Sequence, residues 1–288
     1  MEPFIAWAII SALTSGVYNF WFKIITERWY STYYSTLWSY SVAALLSFIF
    51  LVFDGFSGFQ NISIPLLVFF AFWNIFFFYL SVISRIESMK NIDNVIFYPL
   101  YKTFWPIWVT LVSLFYFWEM LSWREALGIL AGICVPLLLI TKTETRRQKN
   151  LFLWVVFILI TAFFTTISPI FVKLSNNAWF DTMTYVFLNF FIGIFFSYAG
   201  HMFEKKKLKK TMNQSGIYKF ALVIWFFHFL TFYSFTKAFE GNIAIAFTIN
   251  SFAILIPIIL SIIFYGEHFN LKKWIVIVLS IISILLFL

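Results

Sequence analysis

A single lysine interrupts a long apolar segment in the first half of the chain. Lys102 follows Tyr98, Pro99 and Tyr101 and precedes Trp105, and it is the only charged residue between positions 94 and 118. A charge inside a membrane span is costly, so such a residue is a functional candidate by default. An ammonium in this aromatic setting could attract the carboxylate or phosphate of a small molecule. We therefore expect Lys102, Tyr98, Tyr101 and Trp105 to contribute to a substrate site.

Lys102 also has two structural interpretations. Its side chain could extend to the nearer membrane surface, or it could pair with Glu87 or Asp93 near the start of the same helix. In either case the lysine would stabilise the fold without touching a substrate. The sequence leaves these interpretations open.

Other polar residues lie deep in apolar segments and could join the same site. They are Asn74, His228, Asn250 and Ser251, with Tyr79 as an aromatic wall. Hydrogen bonding between helices explains the asparagines equally well, and it is the favoured explanation for His228. His228 is also the only deep group that titrates near neutrality, so a transported proton would use it. Trp73, Trp225 and Tyr233 could add further aromatic walls.

The sequence carries no catalytic signature. It has no HExxH, GxSxG or Walker motif, and its three histidines have no metal-type spacing. We therefore expect neither an enzyme nor a bound cofactor or metal. The formal charge of +8 comes from residues scattered between apolar segments, which favours contact with anionic membrane lipids over nucleic acid.

The composition is that of an integral membrane protein, since 62% of the residues are hydrophobic and only 11% are charged. Long charge-free segments mark the spans, each of which needs about 20 residues to cross a bilayer. The first half of the chain predicts helices at 3–24, 33–53, 63–83, 94–118 and 123–141. The second half predicts helices at 151–173, 182–202, 217–238, 242–264 and 271–288.

This five-helix pattern occurs twice, once in residues 1–141 and once in residues 150–288. Ala12 corresponds to Ala162 and Lys23 to Lys173, while Asn91 corresponds to Asn242 and Pro106 to Pro257; near the end of each half, Glu119 corresponds to Glu267. An odd number of spans per repeat places the two copies in opposite orientations, with a shared site between them that can open to either side. The predicted fold is an all-α integral membrane protein with ten transmembrane helices in two inverted five-helix repeats.

The basic residues are distributed unevenly between the predicted loops. The loops after helices one, three, five, seven and nine hold 16 of the 20 lysines and arginines, including Arg85 and the run from Lys205 to Lys210. The positive-inside rule makes that side cytoplasmic and leaves both termini outside.

Several short motifs resemble the EamA-type branch of the drug/metabolite transporter superfamily. The first helix of each repeat ends in an aromatic or apolar stretch and a lysine, at Lys23 and at Lys173. The fourth helix of each repeat carries a proline and runs into a hairpin glutamate, Glu119 or Glu267, and helix five contains 128-GILAG-132. Members of this family are commonly drawn with both termini in the cytoplasm, contrary to the charge distribution here.

The resemblance and the repeat together imply a multi-pass transporter of a bacterial inner membrane. It would move a small polar or amphipathic metabolite by alternating access, either passively or coupled to a proton or another ion, as a monomer or a homodimer. The related small multidrug transporters exchange protons for cations through a buried glutamate, and no predicted span here contains a deep carboxylate. A transporter or flippase of a lipid or lipid-linked intermediate is the alternative.

Overall fold

Helices make up nearly all of the described chain. The computed structural model describes residues 2–27, 31–59, 63–91, 94–138, 151–207, 217–256, 259–260 and 271–288. The helices are α1 (Pro3–Glu27), α2 (Thr32–Phe53), α3 (Ile64–Asn91), α4 (Asn94–Phe115), α5 (Trp123–Leu138), α6 (Leu151–Asn177), α7 (Thr182–Lys207), α8 (Ile217–Ala238), α9 (Ile243–Ser251) and α10 (Leu271–Phe287). Short 3₁₀ turns follow α2 at Ser57–Phe59 and α9 at Phe252–Ile254.

Most helices lie where the hydropathy pattern predicts them, but α3, α7 and α9 differ. The seventh helix was predicted to end at residue 202, whereas α7 continues to Lys207 and contains the first lysines of the predicted basic loop. The prediction ended the third helix at residue 83, whereas α3 continues to Asn91. Arg85 therefore lies inside a helix and not in a basic loop, and its assignment to that loop was wrong. The predicted helix at 242–264 is not continuous, because α9 tightens into a 3₁₀ turn at Phe252.

Five helical segments in the described part of the chain are long and apolar enough to cross a membrane. They are Pro3–Phe20, Tyr33–Phe53, Ile64–Arg85, Val156–Asn177 and Thr182–Glu204. Two shorter apolar segments, Ile243–Ile254 and Trp274–Phe287, lie near the end of the chain. The membrane character of the protein follows from these segments, and the count of ten spans stays a prediction.

The two halves of the chain pack against each other extensively. The largest contacts pair α1 with α8, α3 with α6, α2 with α7, and α5 with α10. In addition, α1 contacts α9, and α4 contacts α6. One buried apolar cluster includes Ile5, Tyr101, Ile158 and Phe247 from both halves. The first and second halves therefore share a core.

Close contact between α5 and its neighbours depends on two glycines. A Cβ added to Gly132 would overlap the Thr248 methyl group in α9, and one added to Gly128 would overlap the Phe287 ring in α10. The carbonyl of Gly128 also accepts a hydrogen bond of 2.7 Å from the Ser283 hydroxyl. Small residues allow this backbone approach between helices, as expected for the 128–132 segment.

Candidate functional site

A cavity lies between the two halves of the chain, and the centre of a water-sized sphere can occupy about 60 Å³ of it. Three helices of the first half line it, α1, α3 and α4, and three of the second half, α6, α8 and α9. Six of the nine residues expected at a substrate site contribute to its wall: Asn74, Tyr101, Lys102, Trp105, His228 and Asn250. The helices that supply these residues thus bring distant parts of the sequence to one place.

Lys102 is buried at the wall of this cavity, with 1% of its surface exposed. Its Nζ lies 3.4 Å from Asn250 Oδ1 and 3.5 Å from the Asn250 carbonyl oxygen. The ammonium also lies 4.4 Å from the centre of the Trp105 ring, a cation–π contact. The lysine therefore ends inside the helix bundle. The Glu87 side chain and Asp93, its suggested partners, lie outside the described residues.

Arg85 is a second cation at the cavity, which the sequence prediction missed. It is 6% exposed, its Nη1 donates to Asn19 Oδ1 at 3.4 Å, and its guanidinium carbon lies 5.7 Å from the centre of the Tyr101 ring. The Tyr101 hydroxyl in turn donates to Thr165 Oγ1 at 3.0 Å. This arrangement places a guanidinium from α3 beside the aromatic residue that precedes Lys102.

A polar stripe in the sequence could have revealed the extension of α3. Ser81, Ser84, Arg85 and Ser88 recur at spacings of three and four, which is the repeat of one helical face. Two of these serines bond to α6, since Ser81 pairs with Thr165 and Ser84 with Thr161, each at 2.7 Å. The hydropathy criterion ended the helix there because it averages over all faces.

His228 is held tightly by its neighbours. Its ring stacks on Tyr18 with centroids 4.3 Å apart and an interplanar angle of 7°, and its Nδ1 lies 2.5 Å from Ser39 Oγ. Among the described residues, its buried Nε2 has no hydrogen-bond partner, and the same holds for Trp105 Nε1 and Thr231 Oγ1. Three residues of the cavity wall therefore carry a polar atom without a protein partner in the described chain.

Asn74 and Asn250 already bond within the protein. Asn74 Nδ2 donates to Asn189 Oδ1 at 2.7 Å, and its Oδ1 accepts a hydrogen bond from Ser168. Asn250 Nδ2 donates to Ser11 Oγ at 2.9 Å while its Oδ1 faces Lys102. These contacts match the interhelical hydrogen bonding considered for both residues.

Two of the remaining expected site residues, Tyr79 and Ser251, do not line the cavity. Tyr79 packs against Phe196 of α7 at 5.9 Å between ring centres. Ser251 Oγ donates to the Thr248 carbonyl at 2.6 Å. The side chain of Tyr98 lies outside the described residues. The suggested walls Trp73, Trp225 and Tyr233 also lie outside the cavity lining.

A charged cluster joins the turn after α4 to the beginning of α9. Glu119 Oε1 lies 3.0 Å from Lys173 Nζ, and Glu119 Oε2 accepts from the Ile243 backbone N–H at 3.0 Å and from Ser113 Oγ at 2.6 Å. Lys173 also donates to the Gly241 carbonyl. Glu119 thus braces its turn, as the sequence suggested, and it also connects α6 with the N-terminus of α9.

No metal site occurs in the part of the chain that the structure describes, where no three His, Cys, Asp or Glu side chains group together. The cavity wall offers hydrogen-bonding groups and aromatic rings.

The second half of the chain resembles a known protein family. Residues 152–288 match the EamA-like transporter family. A solved crystal structure shares the fold with a TM-score of 0.73 and 14% identity, covering 96% of this chain and 95% of its own. No curated protein sequence matches significantly. The family resemblance predicted from the motifs is confirmed, and the solved structure extends the likeness in fold to nearly the whole chain.

Proposed function

We propose that this chain, whose residues 152–288 belong to a family of membrane transporters, moves a small polar or amphipathic metabolite through the cavity between its halves. The observation that carries the proposal is the cavity wall, to which α1, α3 and α4 contribute from one half and α6, α8 and α9 from the other. In the repeat, these are three pairs of equivalent helices. A site between two repeats is where a transporter binds its cargo.

The packing of the helices supports an inverted repeat. In the repeat, α1 is equivalent to α6, α3 to α8, and α4 to α9. Exchanging equivalent helices turns the α1–α8 contact into α6–α3 and the α1–α9 contact into α6–α4. All four of these contacts occur. The α2–α7 and α5–α10 contacts exchange with themselves. A twofold relation between the halves requires this pattern. Two such halves provide two states of similar energy, and a substrate that binds at their interface shifts the populations of these states.

Within this proposal, Lys102, Tyr101, Trp105 and His228 contact the substrate. Asn250 positions the Lys102 ammonium, and Asn74 stabilises the wall through α6 and α7. The site needs no cofactor. The protein works in a bacterial inner membrane, in contact with lipids, as a monomer or homodimer, and a proton or another ion is the candidate for coupling.

Transport of a lipid or lipid-linked intermediate is the second candidate function. Phe232 and Phe235 of α8 and Phe239 directly after it contribute to the cavity wall and would suit an acyl or isoprenyl chain. A lipidic cargo would have to enter sideways between helices, whereas a metabolite would enter from the water.

The experiment is a ligand screen followed by a flux assay. Purified protein is heated with amino acids, organic acids, nucleotides and lipid precursors, because a ligand that binds the folded state raises its melting temperature. Hits are then loaded into proteoliposomes, with protein-free vesicles as the control. We expect a water-soluble metabolite to stabilise the protein and to cross. Stabilisation by lipid precursors alone, with no flux of any metabolite, would replace this function with the lipid alternative.

A further inference from the structure

Three polar groups of the cavity wall can only donate hydrogen bonds. Lys102 brings an ammonium, Arg85 a guanidinium and Trp105 an indole N–H, none of which can accept a hydrogen bond. Among the described residues that line the cavity there is no aspartate or glutamate. The Lys102 ammonium therefore faces a cavity whose described lining offers it no carboxylate.

The partners of Lys102 leave room for a stronger acceptor. Its two contacts with Asn250, at 3.4 and 3.5 Å, are longer than the roughly 2.7–2.9 Å of a charge-assisted hydrogen bond. An ammonium has three donors, and a buried one is stable only when paired and hydrogen-bonded. The nearby Trp105 ring stabilises the charge by its π face but accepts no conventional hydrogen bond.

Trp105 points to the same kind of ligand. Its buried Nε1 has no acceptor in the described chain, and leaving a buried donor unpaired is unfavourable. The ring itself is fixed by Phe247, at 4.7 Å and 89°, and by Phe235, at 6.1 Å between ring centres. The same side chain thus holds a free donor and contacts the Lys102 ammonium.

The cavity wall also carries apolar side chains. They include Phe232 and Phe235 of α8, Phe239 directly after α8 and Phe78 of α3. A ligand that satisfies both kinds of group needs an acidic group and an apolar body.

We propose, building on the transport function, that the cargo is an amphipathic organic anion. Its carboxylate or phosphate accepts hydrogen bonds from Lys102 and the Trp105 N–H, with Arg85 adding positive charge, and its apolar body packs on the phenylalanines of α8. The charge of a ligand therefore affects its binding to the cavity more than its shape does.

The test uses ligands that differ only in their polar end. Dissociation constants of the purified protein are measured for a carboxylate, its primary amide and its amine on each of three bodies: phenylpropyl, indolylpropyl and octyl. Phenyl phosphate tests the phosphate end. We expect the acids to bind about 10- to 100-fold more tightly than their amides, the range of a charge-assisted contact, and the amines to bind most weakly.

Two tryptophan variants test the hydrogen bond between Trp105 and the ligand. Trp105→Phe keeps an aromatic ring but removes the N–H, so the carboxylate should bind about 3- to 10-fold more weakly while the amine is unaffected. Trp123→Phe, at an exposed position at the start of α5, is the matched control and should bind like the native protein. Lys102→Gln should abolish the preference for acids over amides.

The ligand series needs only the native protein, so a variant that fails to fold leaves the test intact. Equal or tighter binding of the amides and amines, with flux retained, would overturn the anion assignment and leave the transporter standing. Absence of both binding and flux for every charge class would instead remove the proposed function.

Discussion

At the scale of single residues, the proposed anion site depends on the positive charge of Lys102. Lys102→Ala removes the ammonium, so we expect transport to fall about ten- to hundredfold, corresponding to a loss of about 1.5–3 kcal/mol. Lys102→Arg should retain part of the activity, because the charge remains while the rigid fork differs from a compact ammonium. Uptake into proteoliposomes is the measurement. Lys237→Ala, which breaks an exposed pair with Glu240, is the control and should transport normally.

Normal uptake by the Lys102→Ala variant would show that the lysine has no contact with the cargo.

The two cations of the cavity differ in how well the sequence predicts them. Lys102 could be found because it stands alone in an apolar segment, whereas Arg85 lies after the hydropathy has fallen. Its burial depends on Asn19 of α1 and Tyr101 of α4, which no local pattern reveals.

At the scale of helices, the Glu119–Lys173 pair connects three elements that are distant in sequence. Glu119→Gln keeps an acceptor for the Ile243 N–H but loses the ion pair, so we expect a destabilisation of about 1–3 kcal/mol, seen as a lower melting temperature in detergent. Glu240→Gln is the matched control, since its pair with Lys237 is exposed and such pairs contribute little.

A double variant shows whether the effect comes from the Glu119–Lys173 ion pair or from the loss of each side chain by itself. Lys173→Met removes the other partner, and the Glu119→Gln/Lys173→Met protein should be less destabilised than the sum of the two single variants. Additive losses would show that the two side chains act independently.

Helix packing supplies a prediction of its own in α5. Gly132→Val places a side chain against Thr248 of α9, so we expect a marked loss of folded protein in the membrane fraction. Leu130→Val, two residues away on an exposed face of the same helix, should fold normally. Equal yields of folded protein for the two variants would mean that α5 and α9 do not approach this closely.

At the scale of the molecule, helix positions could be predicted well, because long charge-free runs mark them directly. The cavity could be predicted only in part. Lys102, Trp105 and His228 are conspicuous polar or aromatic residues in apolar runs, but which of them meet depends on how α4 and α8 pack across the two halves. The repeat suggested a site between the halves. It could not indicate that the Trp105 N–H has no hydrogen-bond partner in the described chain, because this depends on the positions of all its neighbours in the fold.

Contacts between the connecting turns support alternating helix directions. The turn after α2 lies against the beginning of α7, where Gly58 approaches Thr184 and Asp181. The turn after α4 meets the end of α8, since both Glu119 and the Gly241 carbonyl contact Lys173. Turns after even-numbered helices share one end of a bundle only if successive helices run up and down.

The membrane topology can be tested with single cysteines. Cys134→Ser gives a background without cysteine, since the chain has only one. Cysteines are then placed between α5 and α6 at Thr143, between α7 and α8 at Ser215, and in the exposed turn after α2 at Ser57. Two predicted spans separate positions 143 and 215, and three separate positions 57 and 143. A membrane-impermeant maleimide should therefore label positions 143 and 215 from one side and Ser57→Cys from the other. The positive-inside rule makes the face with Thr143 and Ser215 cytoplasmic. Labelling of positions 143 and 215 from opposite faces would rule out ten spans and, with them, the inverted repeat.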